Sequence, residues 1–391
     1  MIFDSRISVG YEKRCQRVKK MGDLKKITPS DSEWSDWKRQ LEYAACTWSD
    51  LTSQEQRLVD PVSFNKAANK FPFFVTPYYR SLINEDDPDD PIRKMTFPSA
   101  AELANTESFT MDPICEEEHA VLQGVIRRYP DRVLLILGRS CAVNCRHCTR
   151  RVLGKGKVAP IPHDGLERFL EYLVNNPQIK DVIVSGGDPL LLEDDELIDV
   201  LQKIRSISSV EIIRIGTRTP VALPMRFSNS LAKRIAALAP VFINTQFNHP
   251  KEFTKESRLA VATLINAGIP VNNQSVLLKG VNDEPEIIEK LSRNLLKERI
   301  RPYYLFICDL VEGAAHFRTT VQRGVDIIAY LRGRISGMGI PELIIDLPGG
   351  VGKIPVGPNY MEKREGLKMI FKTPNGDQLI KYLDPPTSDS Q

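Results

Sequence analysis

Three cysteines lie in the stretch CAVNCRHCTRR, residues 141–151, at a spacing suited to metal chemistry. Cys141, Cys145 and Cys148 are separated by three and two residues, and closely spaced thiolates bind iron–sulfur clusters or zinc. A four-iron cluster normally takes four thiolates, so three of them would leave one iron open to an outside ligand. The alternatives are a closed zinc site whose fourth ligand is His147 or a distant residue, and buried thiols without a special role.

The composition excludes several functional classes. The 391 residues include 53 basic and 50 acidic side chains, and the formal charge of +3 gives no sign of a nucleic-acid coat or a polybasic membrane anchor. The N-terminus has charges but no apolar signal core, and no later run approaches the roughly 18 apolar residues of a membrane span. We expect a cytoplasmic protein. Seven cysteines, three of them clustered, fit metal or redox chemistry better than a disulfide framework.

Short apolar runs alternate with amphipathic segments from Val133 onward. After the first run, Leu166, Phe169 and Leu173 recur at helical spacing. Nearly continuous apolar strands between helices indicate a parallel sheet covered on both faces. Six such units predict an α/β fold, an open partial (β/α)6 barrel. The six runs are 133–137, 182–184, 211–216, 241–247, 274–278 and 303–307.

In barrels of this kind the chemistry lies at the carboxyl ends of the strands. The cysteine stretch follows the first predicted strand, and this position favours the iron–sulfur interpretation over its alternatives. The segments after the other strands are expected to complete the site. They are SGGDP (185–189), GTRTP (216–220), NHP (248–250) and CDL (308–310).

The chain divides into four predicted regions. Residues 1–115 form a mainly helical N-terminal region with a surface loop, NEDDPDDP, at 84–91. The partial barrel occupies residues 116–340. A C-terminal segment, 341–383, includes LIIDLPGGVGK (343–353) and a hairpin around TPNGDQ (373–378). A disordered tail is predicted for 384–391.

The cysteine spacing, with a Gly-Gly-acidic turn after the next strand, resembles the radical S-adenosylmethionine (SAM) enzymes. A longer series of blocks is similar to the lysine 2,3-aminomutase family and covers roughly residues 60–360. Several blocks in order are more specific than any single one. The blocks are TPYYRSLI (76–83), DDPIRK (89–94), RRYPDRVLLI (127–136), CRHCTRR (145–151), VSGGDPLL (184–191), RIGTRTPV (214–221), NTQFNHP (244–250), NQSVLLKGVND (273–283), RPYY (301–304), HFRT (316–319) and PGGVGK (348–353).

The resemblance implies three cofactors and a radical isomerisation. Cys141, Cys145 and Cys148 are expected to hold a 4Fe–4S cluster whose open iron binds SAM, and Lys353 to carry pyridoxal 5′-phosphate (PLP). Cleavage of SAM would give a 5′-deoxyadenosyl radical, and PLP would assist migration of an amino group from Cα to Cβ. The implied activity is an amino-acid 2,3-aminomutase, with L-lysine to β-lysine as the expected reaction.

Lys353 lies in PGGVGK, which invites comparison with a nucleotide-binding P-loop. The first required glycine would fall at Leu347, and Ile354 stands where serine or threonine is needed, so that interpretation fails. Glycines next to a lysine suit close approach of the backbone to a planar cofactor, with an amine available for a Schiff base. Without the resemblance, a solvated loop lysine would be the simpler interpretation.

Arg128, Tyr129 and Arg132 precede the first predicted strand and are candidates for the PLP phosphate. Guanidinium groups match phosphate oxygens in geometry and charge. Surface ion pairing is the alternative.

Four residues are candidates for SAM. Gly186 and Gly187 allow close approach of the backbone, and Asp188 offers a carboxylate to the SAM ammonium group. An ordinary glycine turn is the alternative. His249 is a further candidate that could equally be a satisfied core histidine.

Substrate choice is expected to depend on three charged residues. Arg150, beside the cysteines, is a candidate for the substrate carboxylate because arginine binds carboxylates in bidentate fashion. Asp309 and Asp346 occupy positions at which lysine-specific members of the family carry a carboxylate pair for the ε-ammonium group. Either aspartate could instead cap a helix or pair with a structural arginine. Arginine or ornithine would also satisfy the pair, whereas the glutamate-specific branch departs from it.

The sequence also departs from the family pattern. The turn GGVGK replaces four glycines, Glu284 follows GVND where zinc-binding members have cysteine, and no cysteine lies beyond Cys308, so we expect no structural zinc. ICDLVEGAAHFRT (307–319) mixes features of free-lysine mutases and of the branch that serves translation-factor modification. A flavodoxin- or ferredoxin-type reductant and a homo-oligomer are also expected. The rival classes are a radical SAM enzyme without PLP and a non-catalytic zinc or iron module.

Overall fold

One ten-stranded sheet dominates the molecule, with its strands in the order β1 to β10. The structure, a computed structural model, describes residues 27–104, 106–151, 158–162, 164–374 and 376–385. A separate sheet contains β11, β12 and β13. The strands are β1 (Ala120–Leu122), β2 (Val125–Tyr129), β3 (Arg132–Gly138), β4 (Asp181–Gly186), β5 (Ile212–Gly216), β6 (Val241–Thr245), β7 (Val271–Leu277), β8 (Arg301–Ile307), β9 (Glu342–Leu347), β10 (Gly352–Val356), β11 (Met361–Glu365), β12 (Lys368–Lys372) and β13 (Leu379–Leu383).

Helices precede and separate the strands of the large sheet. In the N-terminal region they are α1 (Trp37–Glu42), α2 (Ser53–Arg57), α3 (Pro61–Lys70), α4 (Pro77–Arg80) and α5 (Pro91–Thr96). Between the strands and after β8 lie α6 (Gly165–Val174), α7 (Asp194–Arg205), α8 (Thr219–Ala222), α9 (Asn229–Ala236), α10 (Lys255–Asn266), α11 (Pro285–Lys297) and α12 (Val321–Leu331).

The six predicted parallel strands are confirmed as β3 to β8, each paired in parallel with the next. The sheet continues beyond them, because β9 pairs in parallel with β8 and β10 then returns antiparallel to β9. At the other edge β2 runs antiparallel to β3, and β1 to β2. The strand order leaves β1 and β10 as the two edges. The predicted open barrel architecture is therefore confirmed.

Apolar burial explains why the strands alternate with helices. The stripe Leu166, Phe169 and Leu173 of α6 is buried at no more than 1% exposure, as the helical spacing predicted. In α11, the corresponding stripe of Ile288, Leu291 and Leu295 is at most 2% exposed. These two helices cover the sheet with one apolar face and leave the opposite face to solvent.

The N-terminal region packs into the same apolar core as the barrel. The rings of Phe64, Phe73 and Phe97 meet edge to face with centroids 5.1–6.5 Å apart. Val75 forms isolated β-bridges with Ala45 and with Val143 of the cysteine stretch. The region is thus joined directly to the segment that carries the three thiols.

The smaller sequence predictions have mixed outcomes. The surface loop predicted at 84–91 is confirmed as far as residue 89, whereas Asp90 is buried and caps α5, which begins at Pro91, by accepting a hydrogen bond from the Arg93 amide. The predicted C-terminal hairpin is confirmed by the antiparallel pairing of β12 with β13. Cys15 and residues 386–391 of the predicted tail lie outside the described residues. The four region boundaries remain predictions. No helix in the described ranges is both long and apolar enough to cross a membrane.

Candidate active site

A cavity of about 1230 Å³ lies among the loops at the carboxyl ends of the parallel strands. Pockets for one small ligand usually measure about 300–1,000 Å³, so this space suits more than one bound molecule. The structure brings nearly all predicted site residues to its walls. They are Cys141, Cys145, Cys148, Arg128, Tyr129, Arg132, Arg150, Gly186, Gly187, Asp188, Asp309, Asp346 and Lys353.

His249 is the one predicted site residue outside the lining of the cavity. Its Nδ1 accepts a hydrogen bond from the Lys251 amide at 3.1 Å, and its own amide donates to Glu252 Oε2 at 2.8 Å. The side chain thus closes the turn after β6. Its contact with SAM remains a prediction to which this geometry adds no support.

Gly186 and Gly187 fasten the start of the cysteine stretch to the end of β4. The Gly187 amide donates to Gly138 O at 2.7 Å, and the Asp188 amide donates to Ser140 O at 2.8 Å. A Cβ at Gly187 would lie 2.5 Å from Ser140 O, and Gly186 adopts φ 125°. The pair therefore satisfies a backbone requirement that no larger residue meets.

The three cysteines occupy one side of the cavity and are partly buried. Burial raises the pKa of Cys148 to about 11, and burial together with Asp188 and the other two thiols raises that of Cys141 well above its usual value. In the described ranges, no group of three His, Cys, Asp or Glu side chains is arranged to hold a metal ion. Three thiols that do not converge on one metal ion still fit a multi-iron cluster, because each thiolate of such a cluster binds a different iron.

Arg218 contacts the cysteines and was not predicted from the sequence. Its Nη1 donates to Cys145 Sγ at 2.6 Å, and its Nη2 donates to Tyr79 Oη and to Glu252 Oε1, each at 2.7 Å. These partners hold a fully buried cation against a cysteine thiol. The only sequence signal was the position of Arg218 in GTRTP, directly after β5.

The Asp188 carboxylate is surrounded by donors from its own chain. It accepts from the Thr217 hydroxyl at 2.7 and 2.8 Å and from the amides of Leu190, Arg218 and Thr219 at 2.8–3.1 Å. The residue joins the loops after β4 and β5. Its predicted contact with the SAM ammonium group remains a prediction, and these bonds occupy both carboxylate oxygens.

Lys353 and Asp346 face each other across the hairpin of β9 and β10, where their Cα atoms are register partners. Lys353 Nζ donates to Asp346 Oδ2 at 2.7 Å, and Arg128 Nη2 donates to Oδ1 at 2.6 Å. Despite its burial, the pKa of Asp346 is lowered by hydrogen bonds from these two cations. Arg128 thus forms a buried ion pair rather than the surface ion pair that was its alternative, and its contact with the PLP phosphate remains a prediction.

Tyr129 and Arg132 complete this corner of the cavity. The Tyr129 hydroxyl accepts a hydrogen bond from the Lys353 amide at 3.0 Å, and the Arg132 guanidinium lies 3.9 Å from the Tyr129 ring centroid. Lys353 is therefore fixed at its backbone as well as at Nζ. The set of a lysine amine, two arginines and a tyrosine fits a phosphorylated aldehyde cofactor.

Asp309 follows β8 and differs from Asp346 in its environment. Burial, with a smaller contribution from Asp346, raises the pKa of Asp309 to about 7. Lys353, Arg318 and Arg128 act weakly in the opposite direction. The two predicted carboxylates thus line the same cavity. Asp346 is paired with two cations, and Asp309 has a pKa raised to about 7.

Arg150 lies at the cavity wall, as the sequence predicted, but its partner Glu116 was missed. Arg150 Nε donates to Glu116 Oε2 at 2.7 Å, and Nη2 donates to Oε1. Nothing in the spacing of Glu116, which lies 34 residues upstream, marks it as this partner.

Comparison with known proteins agrees with this geometry. Residues 135–291 match the model of the radical SAM superfamily, and residues 328–387 match the C-terminal model described as lysine-2,3-aminomutase. The L-lysine 2,3-aminomutase of Clostridium subterminale is 42% identical over 91% of this chain and 86% of its own length. That of Acetoanaerobium sticklandii is 41% identical over 91% of this chain and 86% of its length. A glutamate 2,3-aminomutase of Clostridioides difficile is 36% identical over 98% of this chain and 91% of its own length. The chain belongs to the lysine 2,3-aminomutase family of radical SAM enzymes.

Proposed function

We propose that this protein converts L-lysine to β-lysine by moving the amino group from Cα to Cβ. The observation that carries the proposal is the carboxylate pair Asp309 and Asp346, which lies in the same cavity as the three cysteines and Lys353. A buried carboxylate needs a compensating cation. Asp309 has no cation within hydrogen-bond distance among its described contacts, and an ε-ammonium group would supply one.

Three cofactors are expected in the cavity, and the chain offers a distinct set of residues to each. Cys141, Cys145 and Cys148 would hold a 4Fe–4S cluster, and Lys353 would bind PLP. When bound, the cluster with SAM supplies a hydrogen-abstracting radical and PLP supplies a ring over which an unpaired electron spreads. The family membership of the chain and the common cavity of these residues support these roles.

The chain itself binds and orients the substrate. Arg150 would bind the α-carboxylate, and Asp309 would bind the distal ammonium group. Fixing both ends leaves little freedom at Cα and Cβ, which is how positioning accelerates a reaction between bound partners. The apolar walls, which include Ile183, Val276 and Phe306, limit the water that could quench a radical.

Glutamate fits this electrostatic arrangement poorly. Its distal carboxylate would face Asp309 and Asp346, and like charges in a buried site repel. Arginine and ornithine share the distal cation and differ from lysine in length, so they are the closer alternatives.

Product analysis with a panel of amino acids tests the proposal. The anaerobically reconstituted protein, supplied with SAM, PLP and a chemical reductant, is incubated with lysine, ornithine, arginine, glutamate and alanine. We expect β-lysine from lysine and little turnover of glutamate or alanine. Preference for glutamate would refute the lysine assignment, and the lack of any β-amino acid product would refute aminomutase activity.

Three finer expectations accompany this function. The low-potential electrons would come from a flavodoxin- or ferredoxin-type protein, the chain would assemble as a homo-oligomer, and it would act in the cytoplasm. Pull-down of the reductant and light scattering test the first two expectations.

A further inference from the structure

A carboxylate from outside the parallel strands holds one edge of the Arg150 guanidinium. Glu116 precedes β1, and its residue is only 6% exposed. Arg150 Nε donates to Glu116 Oε2 at 2.7 Å, and Arg150 Nη2 donates to Glu116 Oε1. This two-pronged contact fixes both the position and the plane of the guanidinium group.

The contact leaves the other edge of Arg150 available. A guanidinium has five N–H donors, and Glu116 takes one on Nε and one on Nη2. The remaining donors lie on Nη1 and Nη2, and one of those on Nη1 forms a long hydrogen bond of 3.4 Å to Ser185 Oγ at the end of β4. The Arg150 side chain is 20% exposed whereas that of Glu116 is 7% exposed. Both residues line the cavity. Because Arg150 is the more exposed of the two, its free edge is the part of the pair that a ligand can reach.

The turn that carries Glu116 is itself held in place. Asp112 Oδ1 accepts from the Glu116 amide at 2.9 Å, and Asp112 Oδ2 accepts from the Glu117 amide at 3.0 Å. The Glu116 carboxylate is therefore presented by a fixed backbone. A surface ion pair would lack both this support and the burial.

We propose that Glu116 is the positioning residue for the substrate α-carboxylate, because it directs the Nη1 and Nη2 edge of Arg150 into the cavity. This inference rests on the proposed function. Glu116 also neutralises the partly buried Arg150, so this cation has a counter-charge before substrate binds. The substrate carboxylate then binds to N–H donors that are already oriented, so binding does not carry the entropy cost of ordering a flexible arginine.

The test compares lysine with L-lysinamide, which lacks the carboxylate, in the reconstituted enzyme. In Glu116→Gln we expect the KM for lysine to rise about tenfold or more, as for loss of one oriented charge-assisted hydrogen bond. The inhibition constant of L-lysinamide should change less than about twofold, because that ligand does not need the fork. Glu118→Gln removes an exposed carboxylate two residues away and should alter neither constant.

Three results would overturn the inference. An unchanged KM would mean that Arg150 needs no support. A lower KM would mean that Glu116 competes with the substrate carboxylate for Arg150. An equal rise for lysine and L-lysinamide would mean a general disturbance of the cavity. A wild-type enzyme that makes no β-lysine would instead refute the proposed function, and the two failures are thus distinguished.

A second variant tests whether Glu116 acts through Arg150. In an Arg150→Gln background, Glu116→Gln should add no further rise in KM, because coupled residues are not additive. A full additional effect would exclude the mechanism. If Glu116→Gln does not fold, Glu116→Asp replaces it, since it keeps the charge and shortens the reach. The same selective rise for lysine is expected.

Discussion

Glu102 binds Arg146 in the interior of the protein, with Arg146 Nη2 donating to Glu102 Oε2 at 2.6 Å and Nε donating to Oε1 at 2.9 Å. Arg151 Nη2 donates to the same carboxylate. The two arginines flank Cys148, and all three charged side chains are at most 3% exposed. One carboxylate from the N-terminal region therefore fixes the second half of the cysteine stretch.

Glu102→Gln should destabilise the protein and reduce its iron content. The change leaves two buried arginines without a counter-charge, and breaking a buried ion pair in this way costs about 3–5 kcal/mol. We expect a lower free energy of unfolding in urea and less iron per chain after anaerobic reconstitution. Glu107→Gln, an exposed neighbour, is the control. Normal stability and iron content in Glu102→Gln would contradict the role of this pair.

Each cysteine of the stretch should be required for the cluster. Cys145→Ala removes one of three thiolates, and too few anchors then remain for the iron site. Iron and labile sulfide should fall to a small fraction of the wild-type content. Cys46→Ala, outside the cavity lining, should leave both unchanged. Full cluster content in Cys145→Ala would exclude the assigned ligand set.

Gly187→Ala should disturb the cysteine stretch through the backbone alone. The new Cβ would lie 2.5 Å from Ser140 O and 2.6 Å from Arg139 C, and neither atom belongs to a flexible side chain. We expect a lower melting temperature together with lost iron. Gly337→Ala is the matched control, because its Cβ would meet nothing within 4 Å. Equal behaviour of the two variants would show that the close approach is not required.

The parallel strands and most of the cavity were predictable because they depend on local patterns. Apolar runs alternate with helical stripes, and the carboxyl ends of parallel strands meet at one edge of a sheet. Thus Cys141, Asp188 and Asp309 could be placed together from their positions after strands. The hairpin that sets Asp346 opposite Lys353 was not recognised, although its turn residues Pro348, Gly349 and Gly350 are a usable signal.

The charged partners were not predictable from spacing. Glu102, Glu116 and Glu252 reach Arg146, Arg150 and Arg218 from 34 to 44 residues away in sequence. A buried glutamate looks like any surface glutamate in a single sequence, because the tertiary fold alone decides which arginine it meets. For the same reason the ion pair of Arg128 with Asp346 was not predicted, and the contact of Arg128 with the PLP phosphate remains a prediction.

Asp346→Asn should weaken lysine turnover while leaving the cluster intact. The change removes the counter-charge of Arg128 and Lys353 as well as half of the carboxylate pair. We expect kcat/KM for lysine to fall by a factor that corresponds to about 3–5 kcal/mol. Asp326→Asn, on the exposed side of α12, is the control. Unaltered lysine kinetics in Asp346→Asn would show that the pair does not bind the ε-ammonium group.

The raised pKa of Asp309 predicts a pH dependence of lysine binding. Its pKa is about 7, because burial and Asp346 favour the neutral acid and outweigh Lys353, Arg318 and Arg128, which favour the anion. Only the anion attracts an ammonium group. Below pH 7 the acid form dominates and must lose its proton before lysine binds, so the KM for lysine should rise as pH falls from 8 to 6, by up to about tenfold per unit.

Asp309→Asn separates this titration from every other group in the reaction. The ε-ammonium group of lysine has an ordinary pKa of about 10.4 and stays charged throughout the interval. The variant should show a high KM that changes less between pH 6 and pH 8 than that of the wild type, because its amide does not titrate. If the variant kept the wild-type slope, the titrating group would lie elsewhere. If the wild-type KM did not change with pH, Asp309 would already be ionised at pH 6. Cations of the protein would then stabilise the Asp309 anion without the substrate.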